Sequence, residues 1–169
     1  MILLDTNILS TFGIIGKLEL LFKIFRNGPI CISPNVLFEI KKAHSFGYSY
    51  ASSVLKLIED EKIVLISITE TELLLSYELP SSFGLGERDS IVIAKQRNFV
   101  FVTNEKKIIN YCNREKIVCL QLNKLLRYLF IEGIMDKENI NDLINDIESK
   151  DKLKIKNKEE IFRDYSKEL

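Results

Sequence analysis

The chain has 169 residues, 46% of them hydrophobic, and its 24 basic residues balance 24 acidic ones. That length and apolar fraction suit one core-forming domain with an appendage and exclude an intrinsically disordered chain. A formal charge of zero removes the global basic footprint of a constitutive nucleic-acid binder, so any phosphate binding needs local patches or a metal.

Residues 2–4 (ILL) predict a short buried strand. From Ile8 to Phe25 apolar residues recur at helical spacing, and Gly13 and Gly16 are expected to break the stretch into two short helices. Gly28-Pro29 predicts a turn and residues 30–32 (ICI) a second strand. Ser33-Pro34 opens a helix, with serine as cap and proline at the first helical position. Val36, Leu37 and Ile40 share one face of that helix, which is expected to end near Phe46-Gly47. A helix over 50–61 leads to a strand at 63–66. Thr69 and Glu72 have the spacing of a capping box. After a loop at 80–84, residues 86–97 predict a helix with Ile91, Ile93 and Ala94 inward. A buried strand (FVFV, 99–102), a helix (106–114) and a short strand (118–120) follow.

Short apolar strands alternating with helices predict an α/β fold with a mostly parallel sheet covered on both faces. Ligands in such folds sit beyond the carboxyl ends of the strands. After about Leu122 the pattern turns helical. Residues 123–132 and 137–150 read as amphipathic helices, the second with Ile140, Leu143, Ile144 and Ile147 on one stripe. Asn157 and Glu160 have the spacing of a cap for a last helix. The division expected is a core domain over 1–129 and a C-terminal helical extension over 130–169. The apolar stripes near 50–60 and 137–150 are candidate surfaces for a second copy or a protein partner.

Three cysteines, Cys31, Cys112 and Cys119, are too few and too scattered for a disulfide framework or a zinc motif. No leader pattern opens the sequence and no apolar run reaches about 18 residues, so a cytoplasmic location is expected, without membrane association. His44 is the single histidine, which excludes multi-histidine metal chemistry, and no serine sits in a nucleophile elbow. Phe22, Phe25, Phe99 and Phe101 read as core.

Acidic residues gather where the strands end. Asp5 follows the first strand directly, and Glu39 lies in the helix after the second. Glu87 and Asp89 open the helix before FVFV, and Thr103, Asn104 and Glu105 follow that strand. Clustered carboxylates raise one another's pKa unless a cation neutralises them. Oxygen-only donors suit Mg²⁺ or Mn²⁺. Such an ion can position a water for attack on a phosphodiester and stabilise the charge that develops. Arg88 and Lys106, beside these acids, are the best candidates among the basic residues to touch phosphate.

Four segments also resemble, in order, the motifs of PIN domains: LLDTNIL (3–9), SPNVLFEI (33–40), GLGERDSIVIAKQRN (84–98) and FVTNEKKI (101–108). The resemblance spans residues 1 to about 120 and is nearest to prokaryotic VapC-like ribonucleases. It implies a three-layer α/β/α sandwich and a Mg²⁺- or Mn²⁺-dependent endoribonuclease leaving 5′-phosphate and 3′-hydroxyl ends. It further implies the toxin of a type II toxin–antitoxin pair, often a homodimer and often held by a VapB-like antitoxin. Asp5, Glu39 and Asp89 match the first three acids, and Glu87 is a common extra one. At the fourth position the family often has Thr-x-Asp or Asp-Asp, whereas this chain has Thr103-Asn104-Glu105; either Glu105 or the Asn104 amide oxygen can fill the role. Thr6 and Asn7 match the DTN signature and would orient Asp5 or, with Thr103, contact substrate.

Each acid also has a plainer reading. Asp5 can cap the next helix, Glu39 can be a solvated helix residue, and Glu87, Asp89 and Glu105 can favour helix N-termini through the dipole. Two rival functions follow. One is a non-catalytic PIN module that binds RNA or a protein. The other is an aspartyl-phosphate phosphotransferase, against which stands Asn7 where such sites need a second aspartate.

Overall fold

The computed structural model describes residues 1–163. Five short parallel strands form the centre: β1 (Ile2–Leu4), β2 (Ile30–Ile32), β3 (Ile63–Leu65), β4 (Val100–Val102) and β5 (Cys119–Leu120), in the spatial order β3-β2-β1-β4-β5. Neighbouring residues on each strand face opposite layers. Leu4, Ile30, Ile32 and Val102 join one buried cluster, and Leu3, Cys31 and Phe101 the other. The first layer holds α1 (Thr6–Ile14), α2 (Glu19–Ile24), α3 (Pro34–Ser45) and α4 (Ser49–Glu59); the second holds α6 (Leu85–Arg97) and α7 (Lys106–Arg114), with α5 (Glu70–Glu78) packed on α6. This is the α/β/α sandwich that the strand–helix alternation predicts.

The order of the strands fixes where a site can form. The chain lays down β1, β2 and β3 in one direction, then crosses back to place β4 on the other side of β1. Helices leave to opposite sides there, and a crevice opens at the carboxyl ends of β1 and β4. Asp5 and Thr103 are the first residues beyond those two ends.

The remaining elements are α8 (Leu122–Ile131), α9 (Lys137–Asp146), a π-turn (Ile147–Asp151) and α10 (Lys158–Phe162). Ile140, Leu143, Ile144, Ile147, Ile155 and Ile161 enter the same cluster as Leu4 and Ile8. The stripe near 137–150 is therefore buried within the chain and is not the free docking surface expected, while in α4 Ala51 and Val54 are buried and Leu55, Leu57 and Ile58 are half-buried against the same cluster. None of the helices described is long and apolar enough to cross a membrane.

Three local expectations change. Gly13 does not break a helix; it lies inside α1, where an added Cβ would sit 2.9 Å from the Cβ of Tyr50, so it lets α1 and α4 approach closely. Gly16, at φ +69°, makes the turn alone. The helix read through to residue 150 widens into the π-turn after Asp146, at the point where the Thr11 hydroxyl donates to Asp151 (2.6 Å). Asn157 does not cap α10 through its side chain, because its backbone is left-handed (φ 51°). The box at Thr69 and Glu72 forms as the spacing predicts.

Candidate functional site

Asp5 is only 4% exposed. One of its oxygens, Oδ1, accepts the Thr6 N–H (2.8 Å) and caps α1. The other, Oδ2, accepts from Asn7 Nδ2 (2.6 Å) and from the Thr103 hydroxyl (2.6 Å). The capping role and a second role thus coexist on different oxygens. Asn7 Nδ2 also reaches Thr103 Oγ1 (3.1 Å), and Asn7 Oδ1 accepts the Asn104 N–H (3.2 Å), so the DTN segment ties the end of β1 to the end of β4. Thr6 completes the arrangement by donating its hydroxyl to Glu39 Oε2 across to α3.

The other acids approach from α6 and α7. Glu87 Oε2 accepts the Gly84 N–H (2.6 Å), closing the first turn of α6, and pairs with Lys107 (3.3 Å). Asp89 is buried and held by Asn35, whose backbone N–H (3.3 Å) and side-chain Nδ2 (2.8 Å) both donate to its Oδ2. Glu105 sits at the N-cap position of α7, but its side chain caps nothing; its N–H donates to Thr103 Oγ1 (3.2 Å). It lines a cleft with Asn7, Asn104, Asp151 and Lys152, on the α7 side of Asp5. Gly86 gives α6 its close approach to α3: an added Cβ there would lie 3.0 Å from Glu39 Oε1.

Burial pushes the Asp5 carboxyl up from 3.8 to about 6; the Thr103 hydroxyl opposes the shift, and the charges of Glu87 and Glu39 add to it. Asp89 is raised by burial as well, against the pull of its Asn35 bonds. Glu39 and Glu87 are thus near enough for their charges to bear on Asp5, while Asp89 on α6 and Glu105 before α7 make their own separate contacts. The donors are all oxygens, a set whose chemistry fits a hard divalent cation rather than zinc or iron. Among the described residues, no three acidic, histidine or cysteine side chains converge into a metal-holding group.

Arg88 Nε turns to the Phe83 carbonyl (3.1 Å). Lys106 is exposed and lines a cleft beyond Asn104, while its neighbour Lys107 takes the Glu87 carboxylate. The sequence reading passed over Asn35 and Asp151. Asn35 had a signal, since it lies four residues before Glu39 on the same helical face. Asp151 had none, being brought in by the π-turn and Thr11.

A family model described as "DUF3368: PIN domain" matches residues 1–161, well past the four motifs. No curated protein and no solved structure gives a match. PIN domains are typically metal-dependent nucleases. With the fold, the order of the motifs and the extent of the match in agreement, the chain belongs to the PIN-domain family.

Proposed function

We propose that this PIN domain is a metal-dependent endoribonuclease that hydrolyses RNA phosphodiester bonds, the toxin of a type II toxin–antitoxin pair. The observation that carries the reading is Asp5: a carboxylate buried at the end of the central strand, with neutral donors, two like charges nearby and a pKa raised to about 6. A protein keeps such a group where a bound cation supplies the missing charge. Asp5, Glu39, Asp89 and Glu105, with Glu87 and Asn104 in support, would hold Mg²⁺ or Mn²⁺, which supplies Lewis acidity toward water and phosphate. Asn7 and Thr103 fix the Asp5 carboxylate from one side, and Thr6 fixes Glu39 from the other. Asn35 holds Asp89 to α3, so the acids of α3 and α6 move as one body. Exposed Phe38 on α3, and exposed Leu74 and Tyr77 on α5, are the apolar side chains that a homodimer or an antitoxin contact would cover.

A panel of single-stranded and structured RNAs, incubated with Mg²⁺, Mn²⁺ or chelator, tests the reading. Cleavage is expected only with metal, and Asp5→Asn should lower its rate by a factor on the order of 10²–10⁴. Chelator-resistant cleavage, or an Asp5→Asn variant as active as wild type, overturns it. The separation of the acids into flanking groups favours one second reading, a PIN module that binds RNA without cutting it. Metal-independent RNA binding with no cleavage under any condition would establish that module instead.

A further inference from the structure

Beside the carboxylates lies a second cleft of about 490 Å³, between α7, the start of α8 and the segment 152–157. Asn104 lines both this cleft and the one containing Glu105, so the two adjoin. The lining has one chemical character. Lys106, Lys154 and Lys156 supply charge; Asn110, Asn113 and Gln121 supply amides; none of the lining residues is acidic or aromatic, and Glu148, behind Ile155, is the acid whose charge Lys154 feels. In a chain with zero formal charge this is a local cationic track. None of the three lysines forms a salt bridge with a described residue, whereas Lys95, Lys107, Lys150 and Lys158 each do.

The segment carrying Lys154 and Lys156 is fixed in place. Lys152 and Asn157 bracket it with left-handed backbone (φ 60° and 51°). Between them Ile155 is buried at 4% exposure, which leaves its two lysine neighbours exposed at the cleft. Glu148 accepts the Ile155 N–H (3.0 Å) and pairs with Lys158 (2.7 Å). Asn123 Nδ2 donates to the Lys156 carbonyl (2.8 Å). The lysines therefore stand on a preorganised edge, which lowers the ordering cost of binding.

We propose that this cleft is the subsite for the strand flanking the scissile bond, and that its ligand is single-stranded RNA. The inference rests on the nuclease reading for the direction of the track and on the cleft itself for the ligand. Lysines on one rim match phosphates. Side-chain amides offer a donor and an acceptor together, the pattern that reads a base edge, and Watson–Crick edges are free only where the strand is unpaired. Without aromatic platforms, recognition here is by hydrogen bonds rather than stacking.

Fluorescence anisotropy with a short labelled single-stranded RNA, the same sequence as DNA and as an RNA hairpin, all in chelator, tests the cleft without cleavage. The expected result is tightest binding to the single-stranded RNA. The double variant Lys154→Glu/Lys156→Glu should bind about tenfold or more weakly, with a salt slope smaller by about 1.4, the value for two lost phosphate contacts on a single strand. Lys62→Glu, at the opposite end of the sheet, should bind like wild type. Unchanged affinity in the double variant, equal affinity for DNA, or preference for the hairpin overturns the proposal. Manganese-dependent cleavage assayed in parallel separates the two readings. Lysine-dependent binding without cleavage sinks the nuclease and keeps the cleft, and cleavage with lysine-independent binding does the reverse.

Discussion

Asp5 and Glu72 are each only 4% exposed, but Asp5 lies deeper in the fold, and their surroundings push them in opposite directions. Glu72 meets the Arg97 guanidinium with both oxygens (2.6 Å each) and also closes the capping box with Thr69. The Arg97 bond, above all, holds it below the usual carboxylate range. Asp5 has hydrogen bonds of similar length but only from neutral donors, and its carboxyl is raised to about 6. Low exposure alone does not distinguish a structural acid from a candidate functional one. The presence or lack of a countercharge does, because only the unbalanced acid gains by binding a cation.

The largest effect expected on stability comes from titrating that imbalance. Unfolded, Asp5 ionises near 3.8; folded, near 6. Between those values the folded chain holds a proton that the unfolded chain has lost, so stability falls as pH rises through this window, by about 3 kcal/mol in metal-free protein. Asp5→Asn cannot ionise and should escape the fall, although its amide fits the donors around Oδ2 less well, at a cost of about 1–2 kcal/mol. Urea melts in chelator at pH 4 and pH 7.5 should show the variant gaining on wild type as pH rises. Saturating Mn²⁺ should restore wild type at the higher pH and leave the variant where it was. Parallel pH curves for the two proteins would mean that Asp5 is balanced after all.

Arg97→Met inverts the comparison by making Glu72 resemble Asp5. Glu72 contributes stability above the usual carboxylate pKa and loses it as pH falls through its lowered value. The variant should lose about 2–3 kcal/mol near neutral pH, the cost of an unpaired buried charge discounted for the 28% exposure of the Arg97 side chain. The loss should shrink near pH 4, and cleavage should keep its rate wherever the protein is folded. A loss independent of pH would assign the effect to packing of the Arg97 stem.

Much of this was legible because local rules and tertiary packing agree. Short apolar strands, Ser33-Pro34 and the Thr69–Glu72 box each specify their element without help from afar. The same box spacing at Asn157 and Glu160 fails because Ile155, Glu148 and Asn123 fix the preceding segment and turn Asn157 left-handed. The stripe from Ile140 to Ile147 shows a face that must be buried but not where, and here the chain's own core covers it. At the site, the motifs indicate which acids approach the strand ends. They do not indicate that Arg88 turns to a carbonyl, that Lys107 reaches Glu87, or that Asp151 arrives through a π-turn, because those depend on contacts from distant segments. Nor do they indicate that Arg97 is the partner that makes Glu72 structural.

The smallest effect expected on stability is also the most selective. Gly86→Ala adds one methyl to the first turn of α6, where the new carbon would lie 3.0 Å from Glu39 Oε1 and 3.2 Å from Val36 Cγ2. Alanine gains up to about 1 kcal/mol in a helix over glycine, and the tight contact offsets much of it, so stability should change by less than about 1 kcal/mol. Glu39 cannot give way freely, because the Thr6 hydroxyl holds its other oxygen. The carboxylate should shift by a few tenths of an ångström, and divalent-cation affinity measured by calorimetry should fall by up to about tenfold. Unchanged affinity would remove Glu39 from the cation site and leave it tied to Thr6 for structure alone. A methyl that leaves the melt in place but weakens the metal would set this end of the sheet apart from the Arg97 end, where the expected damage is to stability and not to chemistry.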